Sequence, residues 1–82
     1  MPRHHDLVTH FGYEAEDCLR SIDIADAMEI PLYAFNYLIY RGKFPGPDFR
    51  RSMIRAWKPA TVAAHNPAIA SRAERIAARR RS

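Results

Sequence analysis

Four side chains between residues 32 and 40 carry hydrogen-bonding groups at helical spacing. They are Tyr33, Asn36, Tyr37 and Tyr40, which stand at i, i+3, i+4 and i+7 and so share one face of a helix. An asparagine amide can form two hydrogen bonds with N6 and N7 of adenine, and tyrosine hydroxyls serve phosphates or base edges. These residues are therefore candidates for direct contact with DNA. The alternative is that some of the tyrosines cover the hydrophobic core.

Basic side chains follow this segment closely. Arg50, Arg51 and Arg55 lie near one another in the chain, and guanidinium groups favour phosphates and the electronegative minor groove. Arg41 and Lys43, just beyond the tyrosines, suit anchoring to the phosphate backbone. A solvated charged turn is the alternative for the three arginines.

A second basic group lies near the C-terminal end of the chain and consists of Arg72, Arg75, Arg79, Arg80 and Arg81. These side chains could hold phosphates or lie along the acidic surface of a partner protein. An exposed, solvated helix face is an equally ordinary outcome. The sequence leaves these three possibilities open.

The charge of the chain is segregated. Lys and Arg number 13 against 9 Asp and Glu, which gives a net charge of +4. Residues 1–30 hold two basic and seven acidic residues, a net −5, whereas residues 31–82 hold eleven basic and two acidic residues, a net +9. An acidic head on a basic body predicts a polyanionic partner.

The composition argues against several other classes of protein. Cys18 is the single cysteine, so no internal disulfide can form and a cytoplasmic location is expected. No apolar run approaches the ~18 residues of a membrane span, and residues 1–20 lack the apolar core of a signal peptide. The histidines of the first ten residues lack the spacing of metal ligands, and the carboxylates bunch in residues 1–30. We expect no metal, no other cofactor, no catalytic residue and no membrane partner.

The elements that position these residues form one domain, since 82 residues cannot divide into two cores. We divide residues 1–82 into an N-terminal arm (1–20), a core (21–65) and a C-terminal helix (66–82). Residues 1–13 are expected to be irregular or partly helical. Residues 14–20 are rich in helix formers and predict a short helix that packs through Cys18 and Leu19.

The core is predicted to begin with two helices. Ser21 is the expected N-cap of the first helix, whose acidic residues (Asp23, Asp26 and Glu29) stay outside. After a turn around residues 29–30, a second helix covers residues 31–41 and stops at Gly42. Helix, short turn and helix are the spacing of a helix-turn-helix.

The rest of the core is predicted to be a hairpin and a short helix. Residues 48–50 and 53–57 alternate as two strands, with Arg51 and Ser52 at the tip. A helix over residues 59–64 follows, and Asn66 then caps a last helix over residues 67–80. Its Ala and Ile stripe packs on its own domain, or docks on a neighbouring copy or a partner protein.

The predicted fold class is mostly α with a small β-hairpin, a winged helix-turn-helix with an added C-terminal helix. The hairpin with its arginines is the wing. The four aromatic residues expected in the core, with base stacking as the alternative for the tryptophan, are Phe35, Phe44, Phe49 and Trp57.

Residues 22–62 resemble the excisionase and AlpA-like branch of the winged-helix, MerR-like DNA-binding domains. The residues that carry the resemblance are Ile24 and Ala25, the run Leu38-Ile39-Tyr40-Arg41-Gly42-Lys43-Phe44-Pro45, the run Arg55-Ala56-Trp57-Lys58, and Thr61 with Val62. The runs are similar to the family's "LIxxGKFP" junction and "RxW" signal. Length and element order make the chain most like the small excisionases, or recombination directionality factors, of temperate actinobacteriophages, including mycobacteriophages.

The resemblance implies a second helix in the major groove and a wing along the minor groove or its phosphates. It further implies that several copies bind side by side on attachment-site arms, bend the DNA and direct a phage tyrosine integrase towards excision. Two alternatives stay open: a small phage transcriptional regulator of the same fold, and a protein-interaction adaptor with a basic helix.

Overall fold

The computed structural model of the protein describes residues 4–81, and the side chains from residue 7 onward. Within that range the chain is mostly helical with a small antiparallel sheet, as the sequence predicts. The elements in chain order are α1 (His4–Phe11), a 3-10 turn (Tyr13–Ala15), β1 (Leu19–Arg20), α2 (Ser21–Ala27), α3 (Leu32–Tyr40), β2 (Phe49–Arg51), β3 (Ile54–Trp57), α4 (Pro59–His65) and α5 (Pro67–Arg81).

The predicted helix over residues 14–20 is wrong. The chain forms the 3-10 turn and then β1, in which Leu19 pairs with Trp57 and Arg20 with Ala56. Cys18 and Leu19 are buried as expected, but Leu19 lies on the strand β1 and Cys18 directly precedes it. Pairing with β3 overrides the local helix propensity of this segment. Of the predicted arm, residues 1–3 lie outside the described residues.

The sheet has three antiparallel strands in the order β1, β3, β2. Arg51 pairs with Ile54, so the hairpin tip is Ser52 and Met53 and not Arg51 and Ser52 as predicted. Ser52 has a positive φ of 56°, the feature of the first turn residue in a type II′ hairpin. The shift by one residue places Arg51 on the strand β2.

Two hydrophobic clusters cover the two faces of the sheet. Successive residues of β3 point to opposite faces, so Trp57 joins the larger cluster with the helices α2 to α5. Ala56 joins a smaller cluster beneath α1 together with Leu7 and Cys18. The sheet is therefore a central layer, and its hairpin is held from both sides.

Aromatic packing fixes α3 against the sheet. The rings of Phe35 and Trp57 meet edge to face with centroids 5.5 Å apart, and those of Phe35 and Phe44 with centroids 5.1 Å apart. Trp57 is fully buried, and its Nε1 donates to the Pro45 carbonyl oxygen at 2.8 Å. The core prediction is confirmed for these three residues, whereas Phe49 is half-buried in the smaller cluster.

The connection between α2 and α3 is a tight turn. The Ile30 amide donates to the Ala25 carbonyl and the Glu29 amide to the Asp26 carbonyl, which is the Schellman pattern. Glu29 accordingly has a positive φ of 60°. The same pattern ends α3 at Gly42, whose φ is 69°. The predicted stop of the second helix at Gly42 is confirmed.

The start of α2 differs from the prediction. Ser21 is the first helical residue, so Arg20 occupies the N-cap position that was predicted for Ser21. Asp23 was expected outside, yet its side chain is buried and its Oδ2 accepts from the Arg20 backbone amide at 2.9 Å. A capping carboxylate in the first turn satisfies a backbone donor and suits the helix dipole.

The helix α5 packs on its own domain. Asn66 Oδ1 accepts from the amides of Ala68 and Ile69, so the predicted cap is confirmed. The side chains of Ala70, Ala73 and Ala77 are buried against α2 and α4. The alanine stripe is thus covered within the chain. Across the described residues, none of the helices has the length and apolar character needed to cross a bilayer.

Candidate functional site

The polar and aromatic face of α3 lies at the surface. The side chains of Tyr33, Tyr37 and Tyr40 are 78%, 56% and 85% exposed, and Asn36 between them is exposed as well. The opposite side of α3 carries Phe35, which is fully buried. The three tyrosines therefore do not cover the core, and each is largely exposed to solvent.

The hairpin adjoins this face through a hydrogen bond. Arg55 Nη1 on β3 donates to Asn36 Oδ1 on α3 at 3.3 Å. Arg50 is the cross-strand partner of Arg55, and residues directly opposite one another share a face of a sheet. The structure thus brings Asn36, Arg50 and Arg55 to one surface, which we call the α3–hairpin surface together with Tyr33, Tyr37, Tyr40, Arg41 and Lys43.

The end of α3 holds a cation against an aromatic ring. Arg41 Nη1 donates to the Tyr37 hydroxyl at 2.9 Å, and the guanidinium carbon lies 5.7 Å from the ring centroid. Such a cation–π contact orients the side chain without removing its remaining donors. Lys43 is exposed directly after Gly42. Both basic groups flank the tyrosine face at its C-terminal end.

Arg51 lies on the other face of the hairpin. It alternates with Arg50 along β2, and its Nη1 donates to the His10 carbonyl oxygen of α1 at 3.5 Å. The tip between the two strands presents Met53, which is 84% exposed. The hairpin therefore shows arginines on both faces and an apolar side chain at its end.

The charge of this part of the molecule is strongly positive. Asp48 is the only acidic residue between residues 31 and 73 of the sequence, and its Oδ2 accepts from the Lys58 backbone amide at 2.8 Å. Basic residues therefore far outnumber carboxylates in this region of the sequence; Arg41, Lys43 and Arg50 are among them. A surface of this kind attracts polyanions.

Two of the C-terminal arginines pair with acidic side chains of their own chain, of which Asp23 is buried. Arg80 Nη1 donates to Asp23 Oδ1 at 2.5 Å, and its Nη2 donates to Asp26. Burial opposes the charge of Arg80, but the hydrogen bonds and charges of Asp23 and Asp26 outweigh it and raise its pKa. Arg72 Nη1 donates to the Ala27 carbonyl at 2.8 Å and lies 3.4 Å from Glu29 Oε2.

This arrangement, the α2–α5 ion cluster, separates the predicted tail arginines into two groups. Arg72 and Arg80 bind the acidic helix α2 of their own chain. Arg75 and Arg79 are exposed, and Arg75 Nη1 donates to Ser71 Oγ at 2.9 Å. Arg81 is half-buried beside a small cavity that Cys18 and Arg20 also line.

Sequence reasoning missed this cluster because it placed Asp23 at the surface. The spacing of Asp23, Asp26 and Glu29 at i, i+3 and i+6 was visible in the sequence, and so was the opposite charge of the last helix. The missing information was that α5 packs directly on α2. Among the described residues, no group of three or more histidine, cysteine or acidic side chains is placed to hold a metal ion.

An apolar groove runs beside the tyrosines. It is lined by Ile30, Tyr33, Ala34, Tyr37 and Leu38.

Comparisons of the chain with protein-family models, curated proteins and solved structures returned no match. The residues of the α3–hairpin surface therefore carry the inference of function.

Proposed function

We propose that the protein is a winged helix-turn-helix protein that binds duplex DNA. In this proposal α2 and α3 are the helix-turn-helix, α3 is the recognition helix, and the β2–β3 hairpin is the wing. The observation that carries it is the hydrogen bond between Asn36 and Arg55, which joins the exposed face of α3 to the arginine-bearing hairpin. One approaching duplex would meet both elements.

The chemistry of the surface supports this mode of binding. An α-helix fits the major groove, where the Asn36 amide and the tyrosine hydroxyls would meet base edges and phosphates. Arg50 and Arg51 lie on opposite faces of the hairpin, so a hairpin in the minor groove would direct one guanidinium towards each strand. Arg41, Lys43 and Arg55 would add phosphate contacts.

The α2–α5 ion cluster supports the same orientation. Asp23, Asp26 and Glu29 supply three of the seven acidic residues of the acidic head, and each pairs with an arginine of α5. Neutralisation of these carboxylates lowers their repulsion of a phosphate backbone. The approach of DNA to the neighbouring helix α3 is then governed by the basic residues.

Within this class we propose that the protein is an excisionase that bends attachment-site DNA and directs a phage tyrosine integrase. The resemblance of residues 22–62 to excisionases supports this role. Met53 adds to it, because apolar side chains inserted between base steps of the minor groove kink the duplex. Arg75 and Arg79, exposed on α5, are the residues we propose for contact with the integrase or a neighbouring copy.

A gel-shift experiment tests this proposal. The full chain is titrated onto duplexes that carry attachment-site arms, with and without the cognate integrase, and onto scrambled duplexes of equal length. We expect tighter binding to the arms, retarded species of several copies, and excisive recombination that requires the protein. Binding that is equal on scrambled DNA, without any effect on recombination, would exclude the excisionase role.

A transcriptional regulator of the same fold would use the same surface, since AlpA-like proteins belong to the branch that the sequence resembles. A promoter-reporter assay beside the recombination assay separates the two roles. A protein-interaction adaptor is less well supported, because Arg72 and Arg80 of the basic helix already bind α2. It would predict a tight protein complex and DNA binding without sequence preference.

A further inference from the structure

The exposed face of α3 has an unusual composition for a helix that faces DNA. The sequence of the helix from Leu32 to Tyr40 contains no lysine, arginine, aspartate or glutamate. Arginine and lysine are the usual partners of guanine O6 and N7, and acidic side chains accept from cytosine N4. The helix therefore lacks the common readers of G·C pairs, and its amide reader is Asn36.

The environment of Asn36 suits adenine. Because an arginine side chain only donates, the oxygen of the amide faces Arg55 and the nitrogen faces away. The amide oxygen has a second lone pair, which can accept from adenine N6 while the amide nitrogen donates to N7. Arg55 thus fixes the orientation that a bidentate contact with adenine requires.

The apolar groove lies one helical turn from this amide. Tyr33 of the groove stands at i−3 from Asn36, and side chains at this spacing lie about 5–6 Å apart on a helix. The thymine C5 methyl is the apolar group that base pairs present in the major groove. Arg41 and Arg55 border this face. Their positive charges complement the phosphates of a duplex whose thymine methyl occupies the groove.

We propose that the α3 face selects A·T base pairs, with adenine bound by Asn36 and thymine methyl groups docked in the groove of Ile30, Tyr33, Ala34, Tyr37 and Leu38. This inference rests on the proposed DNA-binding function and names its preferred substrate. The phosphate contacts of Arg41, Lys43 and the hairpin supply affinity without distinguishing base pairs.

In the first experiment, the full chain selects duplexes from a random library. Single bases of the selected site are then replaced in synthetic duplexes. We expect enrichment of A·T pairs in the segment that α3 contacts. Replacing thymine by uracil in that segment removes one methyl group and leaves the pairing intact. Each methyl removed should weaken binding about threefold to fivefold, which corresponds to the burial of one apolar carbon.

Variants of Tyr33 link this effect to the groove. The Tyr33→Ala protein should bind thymine and uracil duplexes with nearly equal affinity, whereas Tyr33→Phe should keep the threefold to fivefold difference. Tyr33 is exposed, so neither change should alter thermal unfolding, which is measured as the control. A methyl effect that survives unchanged in Tyr33→Ala would place the methyl elsewhere and overturn the inference.

The remaining outcomes separate this inference from the proposed function. Binding with enrichment of G·C pairs, or without any response to uracil, would overturn the inference and leave the DNA-binding function intact. Absence of binding to any duplex would overturn both. A chain that forms dimers through Tyr33 without DNA would assign the groove to a second copy and likewise overturn it.

Discussion

Arg80, in the last turns of α5, donates its Nη1 to the buried Oδ1 of Asp23 in α2 at 2.5 Å, across 57 positions of the sequence. The same aspartate accepts from the Arg20 backbone amide with its other oxygen. One buried carboxylate therefore joins the end of β1, the start of α2 and the end of the chain. It is the one polar or charged residue among the buried side chains of the described residues.

Substitution of Arg80 by alanine should destabilise the fold. Asp23 is 2% exposed, and removing one partner of a buried ion pair leaves an uncompensated charge. Because Arg80 itself is partly exposed, we expect a loss of about 2–3 kcal/mol in the free energy of unfolding, below the usual 3–5 kcal/mol for fully buried pairs. Urea unfolding followed by circular dichroism measures this loss.

The matched control is Arg75→Ala, which removes a guanidinium from the exposed side of the same helix. Its expected cost is within about 0.5 kcal/mol, as for surface substitutions in general. Equal stability of the Arg75→Ala and Arg80→Ala proteins would contradict a structural role for the α2–α5 ion cluster.

Stability should fall at alkaline pH in a way that depends on Cys18. Burial, followed by the charge of Asp48, raises the pKa of the Cys18 thiol, so the folded state holds this proton more tightly than the unfolded chain. The contribution is fully present below about pH 8.5, the usual thiol value, and is lost as pH rises through the raised value.

The Cys18→Ala protein isolates this effect from other groups that titrate in the same range. Unfolding of both proteins is measured from about pH 7.5 to about pH 10. The stability of the natural protein relative to Cys18→Ala should decline over that interval. A difference that stays constant with pH would show that the thiol does not titrate differently on folding.

Asn36→Ala should lower affinity for selected sites by about 1–3 kcal/mol and relax preference at one base pair. Arg55→Ala should relax preference at the same base pair, because Arg55 orients the amide. The double variant should then lose less than the sum of the two, as expected for coupled residues.

Arg50→Ala is the comparison for this pair, since Arg50 is the cross-strand neighbour of Arg55. It should weaken selected and random duplexes alike. If Arg55→Ala behaves as Arg50→Ala does, with preference unchanged, Arg55 contacts phosphate alone and does not position Asn36.

Met53→Ala should reduce DNA bending more than DNA affinity. The side chain is exposed at the hairpin tip, and an apolar wedge between base steps kinks the duplex by about 20–90°. Mobility of circularly permuted fragments measures the bend, with Met53→Leu as a control that keeps an apolar wedge. A bend that is unchanged in Met53→Ala would assign bending to other contacts.

Local chemistry accounts for what the sequence could predict. Proline and glycine mark the limits of α3, α4 and α5. Pro31 is the N-cap of α3, Pro59 and Pro67 are the first residues of α4 and α5, and Gly42 adopts the positive φ of a C′ residue. The spacing of Tyr33, Asn36, Tyr37 and Tyr40 gave the exposed face of α3 directly, because helix periodicity is local.

The sequence-based predictions fail where contacts between residues distant in the sequence determine the structure. A strand of two residues, Leu19 and Arg20, is too short to show the alternation of apolar and polar residues that indicates a strand. It forms because it pairs with β3. Asp23 can be buried because Arg80 binds its carboxylate. Arg80 lies 57 residues away in the sequence, so the residues near Asp23 do not reveal this partner. The hydrogen bond between Asn36 and Arg55 likewise depends on how the hairpin packs against α3.

The dependence of DNA affinity on salt tests the central claim most directly. The full chain is titrated onto a random-sequence duplex and a selected duplex at several salt concentrations, and log K is plotted against log salt. Contacts with ~4 to 6 phosphates per copy predict a slope of roughly −4 to −5, at ~0.9 per phosphate. A response that is flat with salt would contradict a phosphate-binding α3–hairpin surface.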